Sequence, residues 1–234
     1  MLKNNILSSW LRNTSETPFV WLYGNPGSGK SVIAGQIINF LQHSPKSLAI
    51  THFCTYSYSS SIQYDNILRS LLWQALRQDD DTIAYIYWEF VVNRKIASVS
   101  TLESLLRTVL SSLLGNPGNE CSVHIVLDGL DEMENENQRQ LATMLRKVVT
   151  RSRTQENSCK VLVSSRSSTV LKKFLRKPAT VSLSEERTNM EDSICTYAKQ
   201  RLAANHHRLA QHGLCGEDLD NMSNRIAQKA DGMY

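Results

Sequence analysis

Gly24-Asn25-Pro26-Gly27-Ser28-Gly29-Lys30-Ser31 is the stretch of this chain with the clearest chemistry. It fits G-x-x-x-x-G-K-[ST] in full. A triphosphate is wrapped closely by backbone N–H groups in a tight loop. Gly24, Gly27 and Gly29 permit that loop and leave no Cβ in the way. The helix that must follow adds partial positive charge at the phosphates. Lys30 is a point charge on a long stem, suited to the β- and γ-phosphates, and Ser31 offers a hydroxyl to Mg²⁺. A plain Gly-rich turn from strand to helix is the competing reading, and the complete motif disfavours it.

Further along, His124-Ile125-Val126-Leu127-Asp128-Gly129-Leu130-Asp131-Glu132 is an apolar run that ends in acid. Asp128 is the Walker B type of residue: a hard oxygen ligand that can hold Mg²⁺, directly or through water. Asp131 and Glu132 follow. A water attacking a γ-phosphate must lose a proton, so a positioned carboxylate there is a candidate base. Either acid fits, and so does an acidic helix start continued by Glu134 and Glu136. Another apolar run, Lys160-Val161-Leu162-Val163-Ser164-Ser165, is ended by Arg166. Its planar donor fork suits a γ-phosphate, and ligands of open α/β sheets lie at the carboxyl ends of the strands.

These residues need strands to carry them. Phe19–Tyr23 runs straight into Gly24, and 47–54, 123–127, 160–165 and the weaker 180–183 read as four more strands. Short apolar runs of this kind suit strands buried on both faces of a parallel sheet. Helical periodicity fills the gaps, for example Ile33, Ile37, Ile38 and Leu41, then Ile67, Leu68, Leu71, Leu72, Ala75 and Leu76. Strands alternating with helices predict a layered α/β fold with right-handed crossovers. Beyond about residue 185 the strand signals stop, and 191–204 and 217–230 read as two helices. The division is residues 1–185 as the nucleotide domain and 186–234 as the truncated start of a helical subdomain.

The 234 residues suffice for one large domain with a true core. Apolar content of 41% and charged content of 21% exclude a wholly disordered chain. A net charge of +4, spread along the chain, is weak support for nucleic-acid binding, and none is expected. No apolar run approaches the ~18 residues that span a bilayer, and the first residues lack a signal-peptide core. Five cysteines without tight spacing suggest reduced thiols and a cytoplasmic location.

GNPGSGKS, HIVLDGLDE and KVLVSSR, in this order, resemble the NACHT class of signal-transduction (STAND) P-loop NTPases. The small Gly129 with acids at 131 and 132 is the most diagnostic part of the likeness. The nearer likeness is to the nephrocystin-like N-terminal domains of large fungal NACHT proteins. Ser9-Trp10-Leu11, Ile67–Leu72 and Lys229–Tyr234 add to it. The resemblance implies a three-layer α/β/α sandwich of the ASCE type, with a mainly parallel five-stranded sheet and the fourth strand between the first and third. It further implies ATP/ADP bound with Mg²⁺, slow hydrolysis, and nucleotide state used as a signalling switch in non-self recognition or programmed cell death. Self-association, a C-terminal winged helix and sensing repeats are the partners it implies. Those domains are absent from this chain, so an interaction module or fragment with negligible hydrolysis is the alternative.

Three smaller signals have bland readings. His206, His207, His212 and Cys215 fit no standard zinc spacing. Lys172, Lys173, Arg176 and Lys177 read as a basic helix end. Trp73, Tyr85, Tyr87 and Trp88 fall at helical spacings and read as core or interface packing.

Overall fold

The computed structural model describes residues 4–12, 18–78, 80–115, 122–151, 158–175, 178–183, 187–205 and 216–230. Five strands form one parallel sheet: β1 (Phe19–Tyr23), β2 (Ser47–Phe53), β3 (Ser122–Asp128), β4 (Cys159–Ser165) and β5 (Ala179–Ser182), in the order β2-β3-β4-β1-β5. β4 lies between β1 and β3, as expected. That insertion brings the ends of the first, third and fourth strands together.

Strand alternation sorts the side chains into two cores. Trp21, Ile125, Leu127, Val161 and Val163 pack on one face, under α3 (Tyr64–Leu76), α5 (Val99–Gly115) and α6 (Asn135–Arg151). Their neighbours Val20, Leu22, Val126 and Leu162 pack on the other, against α1 (Asn5–Leu11) and α2 (Lys30–Gln42). The result is the α/β/α sandwich of a P-loop fold. α4 (Asp80–Ile86) and α7 (Thr169–Phe174) complete that part of the chain. α8 (Arg187–Ala204) and α9 (Gly216–Lys229) pack on each other further along.

α1 begins at Asn4, whose side chain accepts from the N–H groups of Ile6 and Leu7 at 3.0 and 3.2 Å. Its Trp10 is fully buried, with its ring against the edge of His124 at 5.0 Å between centroids. Lys160 Nζ donates to the Trp10 carbonyl at 2.8 Å. His124 and Lys160 are adjacent on β3 and β4, and both are buried. Burial lowers Lys160 from 10.5 to about 8. Burial first, and the Lys160 charge second, lower His124 to about 4.

One expectation, core or interface packing of four aromatics, loses its core half. Trp73, Tyr85, Tyr87 and Trp88 are 67, 56, 58 and 60% exposed, so they are not core. At 100° per residue Trp73 points away from the stripe of Ile67, Leu71 and Ala75 that α3 turns inward. Tyr87 and Trp88 lie in a π-helical turn, Tyr87–Val92, which breaks the α periodicity on which the expectation rests.

Candidate functional site

The loop from Gly24 to Gly29 joins β1 to α2. Gly27 and Gly29 have φ of 74° and 77°, the left-handed region that a side chain disfavours. A Cβ on Gly24 would stand 2.6 Å from Ser28 Oγ and 3.1 Å from Leu183 Cβ. Gly29 caps α2, and a glycine has no side chain with which to claim the first amides of the helix. Such open amides at a helix start are a place for an anion.

Lys30 bends back over this loop. Its Nζ donates to the carbonyls of Gly24 and Asn25 at 2.9 and 2.7 Å, with Ser28 Oγ at 3.5 Å. Partial burial lowers its pKa, against the pull of Asp131 and Asp128. Ser31 is exposed on the first turn of α2.

Asp128 is the last residue of β3 and is buried. Ser164, on the adjacent β4, donates its hydroxyl to Asp128 Oδ1. The chain then turns at Gly129, φ 72°, where a Cβ would stand 2.5 Å from the Cys54 carbonyl oxygen. No other residue fits there without moving backbone. The Cys54 N–H donates to the Asp128 carbonyl at 2.9 Å, which ties the end of β2 to the end of β3. Burial and the three nearby carboxylates push the Cys54 thiol up to about 12, so it stays protonated.

A short 3₁₀ turn, Leu130–Glu132, carries the two acids. Asp131 is fully engaged by Arg166: the Arg166 backbone N–H donates to Oδ1 at 2.9 Å and its Nε to Oδ2 at 2.5 Å. That pairing raises the Arg166 pKa further. Glu132 uses one oxygen, Oε2, to accept the Tyr56 N–H at 2.5 Å. The fold therefore brings all the expected residues to the carboxyl end of the sheet, and Asp128, Asp131 and Arg166 all act electrostatically on Lys30. Together they offer loop amides and a lysine for phosphates, hydroxyl and carboxylate oxygens for a hard cation, and an arginine opposite.

Sequence reasoning missed Ser164 and Tyr56. Ser164 carried a faint signal: a hydroxyl pair, Ser164-Ser165, ends an otherwise apolar strand. Its partner Ser165 accepts from Trp21 Nε1 at 2.8 Å. Tyr56 carried none. His206, His207, His212 and Cys215 lie outside the described residues, as do Arg176 and Lys177. Among the described residues no cluster of His, Cys, Asp and Glu could hold a metal by itself, and no helix is long and apolar enough to cross a membrane.

Comparison with known proteins agrees with this architecture. A chain in the structure of the Drosophila origin recognition complex bound to DNA superposes with a TM-score of 0.59 at 16% identity, covering 96% of this chain and 55% of that one. At that identity the likeness shows the fold. Cdc6p from Pyrobaculum aerophilum gives a TM-score of 0.48 at 17% identity, over 80% of this chain and 45% of that one. The vegetative incompatibility protein HET-E-1 of Podospora anserina is 24% identical over 168 residues, which is 71% of this chain and 12% of that protein. The chain thus spans a small part of that relative. The family model described as nephrocystin 3, N-terminal, matches residues 1–166. The chain belongs to that family, as a NACHT-type domain of the fungal kind.

Proposed function

We propose that this domain binds ATP or ADP with Mg²⁺, hydrolyses the triphosphate slowly, and uses the bound state as a signalling switch. The observation that carries the reading is the grouping of Lys30 and the left-handed glycine loop with Asp128, Asp131 and Arg166 at one end of the sheet. Lys30 and the amides of 24–29 hold the phosphates. To do so Lys30 exchanges two carbonyl partners for phosphate oxygens, a stronger, charge-assisted contact. Ser31 and Asp128 would hold Mg²⁺, which when bound supplies neutralising charge at the β- and γ-oxygens. Ser164 fixes the Asp128 carboxylate through Oδ1. Arg166 reads the γ-phosphate.

Asp131 or Glu132 orients the water. Both oxygens of Asp131 already serve Arg166, whereas Glu132 Oε1 has no partner among the described residues, which favours Glu132. The likeness to a vegetative incompatibility protein supports a role in non-self recognition or programmed cell death. The family resemblance adds to the proposal a cytoplasmic location, self-association, and winged-helix and repeat domains as partners. On this reading the nucleotide domain is residues 1–185, and 186–234 begin a helical subdomain. A second reading, a nucleotide-binding interaction module with negligible turnover, is favoured by the full engagement of Asp131.

Calorimetric titration of Mg-ATP and Mg-ADP into the wild type and Lys30→Ala tests the assignment. Lys30→Ala should weaken binding by at least ~100-fold, the loss of a charge-assisted contact in a partly buried site. Unchanged affinity would sink it.

A further inference from the structure

Among the described residues β2 is an edge of the sheet, with β3 as its neighbour on the other side. It has seven residues, as many as the fully buried β3 and β4. The opposite edge, β5, has four. A long edge offers N–H and C=O groups to another chain, and proteins blunt such edges with charge, proline, bulges or brevity. Ser47–Phe53 contains no Lys, Arg, Asp, Glu or Pro, and it pairs with β3 in unbroken register. One side chain closes it instead.

Gln74, partly buried on α3, meets the backbone of Thr51 with both ends of its amide. Its Oε1 accepts the Thr51 N–H at 2.9 Å, and its Nε2 donates to the Thr51 carbonyl at 2.7 Å. A residue of an antiparallel strand opposite Thr51 would exchange the same two bonds. The amide thus holds the ladder position of a sixth strand. Nε2 also donates to the Ser70 carbonyl at 3.0 Å, one turn back on α3. When the side chain leaves Thr51, that donor keeps a partner, so the cap is exchangeable. Strand alternation turns the N–H and C=O of Ala49 and Phe53 to the same side as those of Thr51. Among the described residues these groups have no hydrogen-bond partner there.

The edge is complementary to itself. Antiparallel pairing of two copies about Thr51 sets Thr51 opposite Thr51 and Ala49 opposite Phe53. The small side chain then meets a large one that is 46% exposed. No like charges meet, because the strand carries none of the charged residue types. Both copies use the same edge, so a two-fold axis closes the assembly. We infer that Gln74 is a removable cap on the β2 edge, and that the uncapped edge pairs with β2 of a second copy of this chain. This gives a surface to the self-association proposed above and rests on that part of the reading alone, not on the nucleotide site.

The test is sedimentation equilibrium of the full chain over a range of concentrations. Gln74→Met keeps the length of the side chain and offers Thr51 no hydrogen bond. It should raise the dimerisation constant about a hundredfold, roughly tenfold for each cap removed. Ala49→Pro deletes an N–H that faces outward, a place where an edge strand tolerates proline. Added to Gln74→Met, it should return association to the wild-type level. Gln74→Glu still accepts the Thr51 N–H and would set like charges face to face, so it should associate no more than the wild type. Amide hydrogen exchange of Gln74→Met needs no proline: protection at Ala49, Thr51 and Phe53 should rise with concentration. If Gln74→Met sediments as the wild type does, the cap is overturned. If the added proline leaves association unchanged, or protection rises elsewhere and not at these amides, the edge is overturned. Equal association in all four proteins would support self-association through another surface and overturn this one.

Discussion

The two ends of the sheet treat charge in opposite ways. At the carboxyl end, Asp128, Asp131, Glu132, Arg166 and Lys30 share one rim, and each has a polar partner within the protein. Most of those partners are exchangeable: carbonyls, an exposed ion pair, a backbone amide. At the amino end, Lys160 is buried and donates to the Trp10 carbonyl, and among the described residues neither ring nitrogen of His124 has a hydrogen-bond partner. On the proposed function, the first arrangement is completed when a ligand arrives. The second is a cost that packing under α1 offsets. Charge clustered at strand ends marks function here only where the partners can be traded.

The difference predicts that the ends can be disturbed separately. Trp10→Ala should have the largest effect. It empties a fully buried indole and leaves Lys160 and His124 beside a cavity. Truncation of this kind costs about 3–5 kcal/mol, read as a lower midpoint in urea unfolding. Nucleotide affinity of the folded fraction should not change. A shift of more than about threefold, larger than independent sites normally show, would mean that the two ends are coupled through β3 and β4.

Lys160→Met sharpens the same contrast and should go the other way. The substitution keeps the apolar stem and removes the charge of a residue that is 3% exposed. Replacing a buried charge by a well-packed apolar group is neutral or stabilising by about 1–4 kcal/mol. The lost bond to the Trp10 carbonyl returns about 1 kcal/mol of that. The pH dependence carries the sign. The folded state releases the Lys160 proton near 8 and the unfolded chain near 10.5. Between those values the unfolded chain binds more protons, so wild-type stability rises with pH. The advantage of Lys160→Met is therefore full below about pH 8 and vanishes towards 10.5. A constant difference across that window would show that burial leaves the Lys160 pKa unshifted, the folded and unfolded chains holding its proton alike.

What was legible in the sequence follows the same division. The rim was readable because its residue types are forced: Gly27 and Gly29 by positive φ, Gly129 by the Cys54 carbonyl, Asp128 and Arg166 by their places at strand ends. β3 and β4 were readable because both faces are buried, which leaves unbroken apolar runs. The amino end was not. Lys160 and His124 stand inside those runs and counted only as strand, because their partner is Trp10, far away in sequence and on a helix too short to show a period. Tyr56 was hidden for a related reason. A backbone N–H bonded to Glu132 leaves no trace in residue type. The exposed Trp73 of α3 misled for the reverse reason: its spacing is helical, and the core face was already taken by the aliphatic stripe.

The smallest change divides the rim itself. Asp131→Asn touches an exposed pair, in which the Arg166 side chain is 52% accessible. Its effect on folding should stay within about 0.5 kcal/mol. Asparagine offers Arg166 one acceptor in place of two, so Arg166 is loosened without being freed. In a single-turnover assay with Mg-ATP, Asp131→Asn should lower the hydrolysis rate less than Glu132→Gln, because only Glu132 keeps an uncommitted oxygen for a water. The reverse order would make Asp131 the water-orienting acid and would require Arg166 to leave it before the chemistry. If neither variant changes the rate, carboxylate-assisted hydrolysis is wrong. The rim would then differ from the amino end in holding a ligand, and not in transforming one.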